Sequence, residues 1–438
     1  MGPPVDAVPT SDRFPSTADI VIIGGGIIGV SAALFLARQG LSVVVCEKGH
    51  VAGEQSSRNW GWVRRMGRDP RELPLIVKAM DLWDNMQQLV GEDVGFRRSG
   101  ILYLCNSDRE IADREDWLKR AGDYALDSRI ISGAELADLQ PGATKAYRAA
   151  LYTRSDGRAE PQKAAPAIAR AAIRAGATIL QQCAVRGIDT TSGRISGVVT
   201  ERGTIRAGTV IIAGGAWSSA LCRDLELKLP QLAVRASVLR TAPVDGGPQG
   251  AAWSNGFAYR KRLDGGYTIA GSGISRHEIV PDSFRYFFDF LPMIAHEWRD
   301  LSLRVSSDFL KQINRGWESG YFYEQQRTLD PQPVASHLAK ARTAMEAVFP
   351  MLKGVPTVQQ WAGYIDATPD AVPVIAPVKS LPGLIIATGF SGHGFGIGPA
   401  AGHLAADLAT GRTPIVDPQP FRYERFIDGT RHRPSTGV

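Results

Sequence analysis

Cysteine is scarce in this chain of 438 residues, and its placement excludes more than its number. Cys46, Cys105, Cys183 and Cys222 stand far apart, without the C-x-x-C spacing of a zinc or iron–sulfur ligand set. They argue against a disulfide framework and a resident metal, and for a reducing, cytoplasmic compartment. Long hydrophobic runs are also lacking, since no segment approaches the roughly 18 apolar residues a membrane span needs. The first seventeen residues hold Pro3, Pro4, Pro9 and Pro15 but no apolar signal-peptide core, which predicts a flexible leader. Nor is there a run of five or six basic residues, although Lys and Arg outnumber Asp and Glu by 50 to 44. The surplus suits an anionic substrate or a membrane surface. Nucleic-acid binding has no motif behind it and is not expected.

Glycine, by contrast, is abundant and patterned. Ile20-Val21-Ile22-Ile23 reads as a strand buried on both faces, and Gly24-Gly25-Gly26-Ile27-Ile28-Gly29 supplies G-x-G-x-x-G at its end. Ala33, Leu34, Leu36 and Ala37 predict a helix over 31–39, stopped by Gly40. A second strand over 42–46 ends at Glu47-Lys48, with the acid 18 residues beyond Gly29. In such a unit Gly24 permits the tight turn, Gly26 lets a pyrophosphate approach the backbone, and Gly29 lets helix and strand pack closely. The helix start offers free N–H groups and a positive dipole end to phosphates. Glu47 can accept hydrogen bonds from a ribose diol. A dinucleotide site lies within the first fifty residues.

The rest of that fold is scattered along the chain. A helical run over 163–175, a strand from Gly176, another over 183–188 and a hairpin over 195–207 precede Thr209 to Ala213, an apolar strand running into Gly214-Gly215-Ala216-Trp217-Ser218. Gly383 to Gly389 repeats the pattern, so three strands end in glycine-rich turns, as the ligand crevice of an open parallel sheet requires. The fold class is therefore α/β, with a discontinuous Rossmann-like nucleotide-binding domain from residues 18–75, 149–225 and 351–425. Residues 76–148 and 226–350 carry helices and further strand signals and predict a mixed or antiparallel-sheet substrate domain, with 426–438 as a tail. Phe284-Arg285-Tyr286-Phe287-Phe288-Asp289-Phe290, followed by Trp298, predicts a helix packed on that domain, or a peripheral membrane or subunit contact.

Five blocks in order carry a resemblance: the glycine motif, Ala213 to Ser218, Trp361-Ala362-Gly363, Thr368-Pro369-Asp370 with Pro373-Val374-Ile375, and Thr388 to Gly394. The series resembles the D-amino-acid oxidase-like (DAO) family of FAD-dependent amine and amino-acid oxidoreductases. Ser56-Ser57-Arg58-Asn59-Trp60-Gly61 is similar to the flavin-contacting segment of the γ-glutamylputrescine oxidase branch, near the D-amino-acid dehydrogenases. The resemblance implies FAD, with backbone at Val185 on the adenine and Ser56, Ser57, Asn59 and Gly61 near the phosphates or ribityl chain. It further implies Ala213, Gly214, Trp217 and Gly363 beside the cofactor, and Gly389, Gly392, His393, Gly394, Phe395 and Gly396 around the isoalloxazine. Pro399 suits the first turn of a helix over 400–408, whose start can aim donors at the flavin's N1–O2 edge.

Departures from the relatives bear on the substrate. Ile365 stands where glycine oxidases carry the arginine that grips the substrate carboxylate. Gly396 and Gly363 stand where monomeric sarcosine oxidases carry a lysine and a flavin-linking cysteine. FAD is therefore expected to be non-covalent. The substrate is then an amine without an α-carboxylate, or another cation among Arg58, Arg64, Arg65 and Arg260 takes over. Trp60 and Ile365 are expected on the pocket wall, Tyr259 on a strand over the flavin, and His393 and Tyr259 are the candidate catalytic groups. The implied reaction is oxidation of a C–N bond by hydride transfer to flavin N5, with oxygen or a quinone as acceptor. The alternatives are C–O oxidation of a hydroxy acid, or a role as the FAD subunit of a heteromeric dehydrogenase.

Overall fold

A computed structural model of the chain describes residues 1–272, 275–297, 301–305 and 322–435. Ile20–Ile23 is buried along its whole length and lies inside a six-stranded sheet. The strand order is Val374–Pro377, Leu384–Thr388, Thr209–Ile212, Ile20–Ile23, Val43–Cys46 and Thr178–Leu180. All neighbours are parallel except the antiparallel edge strand Val374–Pro377. Continuous apolar strands are what a parallel sheet covered on both faces requires. Helices Ile27–Ala37, Pro161–Arg174 and Gly394–Thr410 share one core with one face of this sheet. Val21, Ile23, Val210 and Ile212 pack on the other face against Ile195, Val198 and Ile205 of a three-stranded hairpin sheet. The three glycine-rich strand ends thus come together at one edge of a three-layer domain.

Two helix starts differ from the sequence expectation. The helix after the first strand begins at Ile27, so Gly29 lies in its first turn. The last helix spans Gly394–Thr410, and Pro399 is interior to it, not at its start. Glycines at 394, 396 and 398 had hidden this first turn, because glycine disfavours helix in an isolated peptide while tight packing overrides propensity.

The second domain is built on a ten-stranded mixed sheet. Its long strand Leu232–Thr241 pairs antiparallel with Thr357–Ala367, from Leu232 opposite Ala367 to Thr241 opposite Thr357. It also pairs with Tyr267–Ala270 and Ser275–Ile279. Thr357–Ala367 and Ala149–Thr153 fall in stretches expected for the nucleotide domain, yet their hydrogen bonds are to this sheet. Both lie where the chain crosses between domains.

Residues 1–17, expected as a flexible leader, are bonded along the body. Asp6 N–H donates to Gln162 O at 3.1 Å, Ser11 N–H to Ile179 O at 2.8 Å, and Thr17 bridges Arg206. Prolines suit such an extended strap, whose bonds go outward to other elements. The aromatic stretch forms helices Pro281–Arg285 and Phe287–Glu297. Tyr286, Phe290 and Met293 pack on Leu232, Val234, Ala367 and Ala371. Phe284, Phe287, Phe288 and Leu291 face outward, with Phe288 81% exposed. Trp298 lies outside the described residues. Among the described residues no helix is long and apolar enough to cross a membrane, and no cluster of metal-ligating side chains occurs.

Candidate active site

A cleft opens at the carboxyl ends of the parallel strands, with about 1220 Å³ of space between its walls. Gly24, Gly26, Ile27 and Ile28 form its floor. Gly24 holds φ +110°, and a Cβ there would stand 2.4 Å from Ala213 O. Gly29 is not in the wall; a Cβ on it would meet Gly24 O at 2.1 Å, so it lets helix and turn touch. No side chain caps the helix at Gly26. Ser56 Oγ accepts the Ile27 N–H at 2.9 Å. The Ile27 N–H is thus taken, and the N–H groups after it in the first turn are left for anionic oxygens.

Glu47, Lys48 and Val185 line one end of the cleft. The Glu47 carboxylate is half-buried and accepts the N–H groups of Gly25 and Gly49, each at 2.7 Å. Burial outweighs those bonds and pushes its pKa up to about 7. Lys48 Nζ sits 3.1 Å from the centroid of the Trp217 ring. Ala213, Gly214 and Trp217 continue the wall, which ends at Gly392, Gly394 and Phe395. Asp366 organises that end, where its Oδ2 accepts Gly389 N–H at 2.8 Å and the Thr388 hydroxyl at 3.2 Å. An elongated cleft with an acid at one end, a helix start in the middle and a glycine-rich turn at the other fits FAD.

A second and larger cavity, with about 2370 Å³ of space between its walls, lies beyond. Gln55, Asn59, Gly392 and Phe395 line both spaces, so they meet there. Gln55 Oε1 is buried at this junction without a hydrogen-bond partner. Trp60, Trp62, Tyr103 and Trp253 form a continuous aromatic wall, with successive ring centroids 5.2, 6.5 and 5.9 Å apart. Ile365, Arg64, His393 and Gly396 also line this cavity.

His393 is almost fully buried, and its Nδ1 lies 3.1 Å from Glu72 Oε2, outside hydrogen-bond alignment. Arg68 reaches the same group, donating to Glu72 Oε2 at 3.4 Å and to His393 O at 3.2 Å. Burial pushes His393 below its ordinary pKa, against the pull of Glu72. Burial opposes charge on Glu72 too, but His393 and Arg68 hold its carboxyl below the usual range.

Several expected site residues stand elsewhere. Tyr259 points away from the cavity, its hydroxyl paired with Gln140 at 2.9 Å and its ring packed on Tyr267 and Phe349. Strand alternation turns Phe257 and Tyr259 into that core, and Tyr103 and Trp253 of other strands face the cavity instead. Arg58 lines the cavity, but its guanidinium is bonded to Asp330, Ala362 O and Gly53 O. Arg65 is tied to Asp156, and Arg260 forms a buried bidentate pair with Glu160 at 2.8 and 3.1 Å. Ser57, Gly61, Gly363 and Gly389 support the wall without lining it. The Ser57 hydroxyl donates to Glu54 O, and Cβ atoms at Gly61, Gly363 and Gly389 would strike Ala159 O, Gln55 Oε1 and Thr368. Gln55, Arg68, Glu72, Tyr103, Arg114 and Trp253 were not singled out by sequence, because no local motif marks them.

The geometry agrees with comparison to known proteins. The family model described as "FAD dependent oxidoreductase" (DAO) matches residues 19–408. Glycine oxidase of Pseudomonas putida is 26% identical, over 92% of this chain and 98% of its own length. Sarcosine oxidase subunit beta of Rhizobium meliloti is 26% identical, over 94% of this chain and 89% of its own. The solved structure of L-amino acid deaminase from Proteus myxofaciens, in complex with anthranilate, superposes with a TM-score of 0.93. It is 34% identical and covers 97% of each chain.

Proposed function

Because the chain belongs to the DAO family of FAD-dependent oxidoreductases, we propose that it oxidises a C–N bond of an amine or amino acid to the imine. The observation that carries this reading is the meeting of an elongated cleft that fits FAD with an aromatic-walled cavity at Gln55, Asn59, Gly392 and Phe395. FAD, when bound, supplies the hydride acceptor at N5. Gly24 to Ile28, Ser56 and Glu47 hold its adenosine and pyrophosphate. Gly392 to Phe395 would lie beside the reactive ring, and the start of the Gly394–Thr410 helix would offer N–H donors to negative charge there. The aromatic wall excludes water and orients the amine, which is most of what such chemistry asks of a protein.

The FAD is held without a covalent bond. Gly363 carries no nucleophile, and Gln55 already fills the space a side chain there would need. Arg64 holds a substrate carboxylate in place of the arginine missing at Ile365. It lines the cavity and has no ion-pair partner among the described residues. A cytoplasmic location is supported by four cysteines, all free and buried. Electrons leave to oxygen or a quinone.

Anaerobic mixing with a panel of amines and D- and L-amino acids tests the reading. The flavin should bleach with at least one of them, more slowly when the α-hydrogen is deuterium, and air should then report on the acceptor. Bleaching by hydroxy acids alone would replace C–N by C–O oxidation. A second reading, FAD subunit of a larger dehydrogenase, is favoured by the likeness to sarcosine oxidase subunit beta and by the outward Phe284, Phe287, Phe288 and Leu291. A fully active monomer in gel filtration would dismiss it.

A further inference from the structure

Six arginines line the substrate cavity, and four are neutralised in place. Arg58 pairs with Asp330, Arg68 with Glu72, Arg120 with Asp116 and Arg235 with Glu278. Arg64 and Arg114 have no ion-pair partner among the described residues. The carboxylates in the cavity wall are Asp116, already paired, and Asp113, which is exposed. The cavity therefore keeps a net positive charge, and low-dielectric aromatic walls make such a charge felt.

Arg114 is the better built of the two. Its guanidinium carbon lies 4.9 Å from the Tyr103 centroid and 5.4 Å from that of Trp253. Its Nε is buried without a hydrogen-bond partner. Tyr103 is itself fixed, since its ring lies against the bare Cα of Gly67, where a Cβ would stand 2.7 Å away. Stacking on two rings holds the guanidinium plane while its N–H edge stays available for a planar anion. Cys105 is its other neighbour, and a thiol does not neutralise it.

Position then separates Arg114 from the reacting centre. Asn59 marks the junction with the cofactor cleft, and the wall runs from there through Trp60 and Trp62 to Tyr103, over which Arg64 lies at 5.8 Å, and on to Trp253, where Arg114 sits. We infer that Arg114 is a distal anion subsite, so that the substrate is an amine bearing a carboxylate at the end of its chain remote from the oxidised carbon. The assignment of the near end rests on the amine-oxidation reading; the subsite itself does not.

The test uses holoenzyme and ligands that cannot be oxidised. Adipate and hexanoate have the same chain length and differ by one terminal carboxylate. Titrated against the visible flavin spectrum, adipate should bind at least tenfold more tightly, a charge-assisted contact of about 1.5–3 kcal/mol. Arg114→Leu should remove that preference, Arg114→Lys should keep part of it, and FAD content should be unchanged in both. Equal affinities in the wild type would overturn the subsite. So would an Arg114→Leu variant that weakens hexanoate as much as adipate, since Arg114 would then grip the one carboxylate every substrate has. A wild type that prefers adipate but is reduced by no amine would sink the amine reading and leave the subsite standing.

Discussion

Glu47 Oε2 accepts the Gly25 N–H at 2.7 Å, tying the end of the second strand to the turn after the first. The carboxylate is half-buried in the cleft wall, and its pKa is raised to about 7, mainly by desolvation. Without FAD it is therefore largely protonated at pH 6 and largely ionised at pH 8. Ribose hydroxyls donate to a carboxylate, so they favour the ionised form. FAD affinity of the apoprotein should rise about tenfold from pH 6 to pH 8, following the ionised fraction. Fluorescence titration of apoprotein with FAD measures it. Glu47→Gln should bind more weakly and lose the slope, and a slope that survives the substitution would assign it elsewhere.

Gly29→Ala should cost both stability and cofactor. The new methyl would lie 2.1 Å from Gly24 O, so either the helix start or the turn must move. Overpacking of this kind costs about 1–3 kcal/mol. Displacement of the turn should also leave most of the purified protein without FAD, as the ratio of flavin to protein absorbance would show. Gly208→Ala is the control, since that glycine faces open space and holds no positive φ. Normal FAD content in the Gly29 variant would contradict the packing argument.

Arg260 and Glu160 should prove structural. Glu160 also accepts the Leu263 N–H at 2.9 Å, and Arg260 Nε donates to Trp60 O at 2.7 Å, so the pair bolts the cavity segment to the sheet. Removing one partner leaves a buried charge uncompensated, at a cost of about 3–5 kcal/mol. Glu160→Gln should lower the urea midpoint accordingly. In the cold, where the variant stays folded, its ratio of affinities for carboxylate-bearing and carboxylate-free amines should match the wild type. A changed ratio would return Arg260 to the binding machinery.

The contrast between Gly29 and Arg260 shows what a sequence discloses. Glycine spacing reports backbone geometry directly, because only a residue without a side chain fits where a Cβ would strike Gly24 O, so cofactor and crevice were legible. Partnership is not local. Arg260 finds Glu160 across 100 positions, and His393 meets Arg68 across 325. Tyr259 failed for another reason: its strand was legible, but which face of the strand met the cavity depended on how neighbouring strands were laid down. Arg114 sits in a helix of charged residues, Asp108–Arg120, whose pattern reads as a solvated surface until Tyr103 and Trp253 arrive from the sheet.

His393 sets the acid side of the enzyme's pH dependence. Burial holds its pKa below the ordinary value, so the ring is neutral at pH 7 and charges only as the solution becomes acidic. The charged groups around it are Glu72, which favours the imidazolium, and Arg64 and Arg68, which oppose it. Once protonated, the ring places a cation in the wall that receives the substrate's own ammonium. A carboxylate-free amine should therefore bind with constant affinity from pH 8 down through the ordinary imidazole range at about pH 6.5, and lose about tenfold only at more acidic pH, roughly 1.4 kcal/mol of like-charge repulsion. Binding of acetate should strengthen over the same range. His393→Asn should abolish both trends while leaving the flavin spectrum intact, and Glu72→Gln should move both to lower pH, because it removes the anion that stabilises the imidazolium. Profiles that are the same in wild type and His393→Asn would place the titrating group on the substrate or the cofactor.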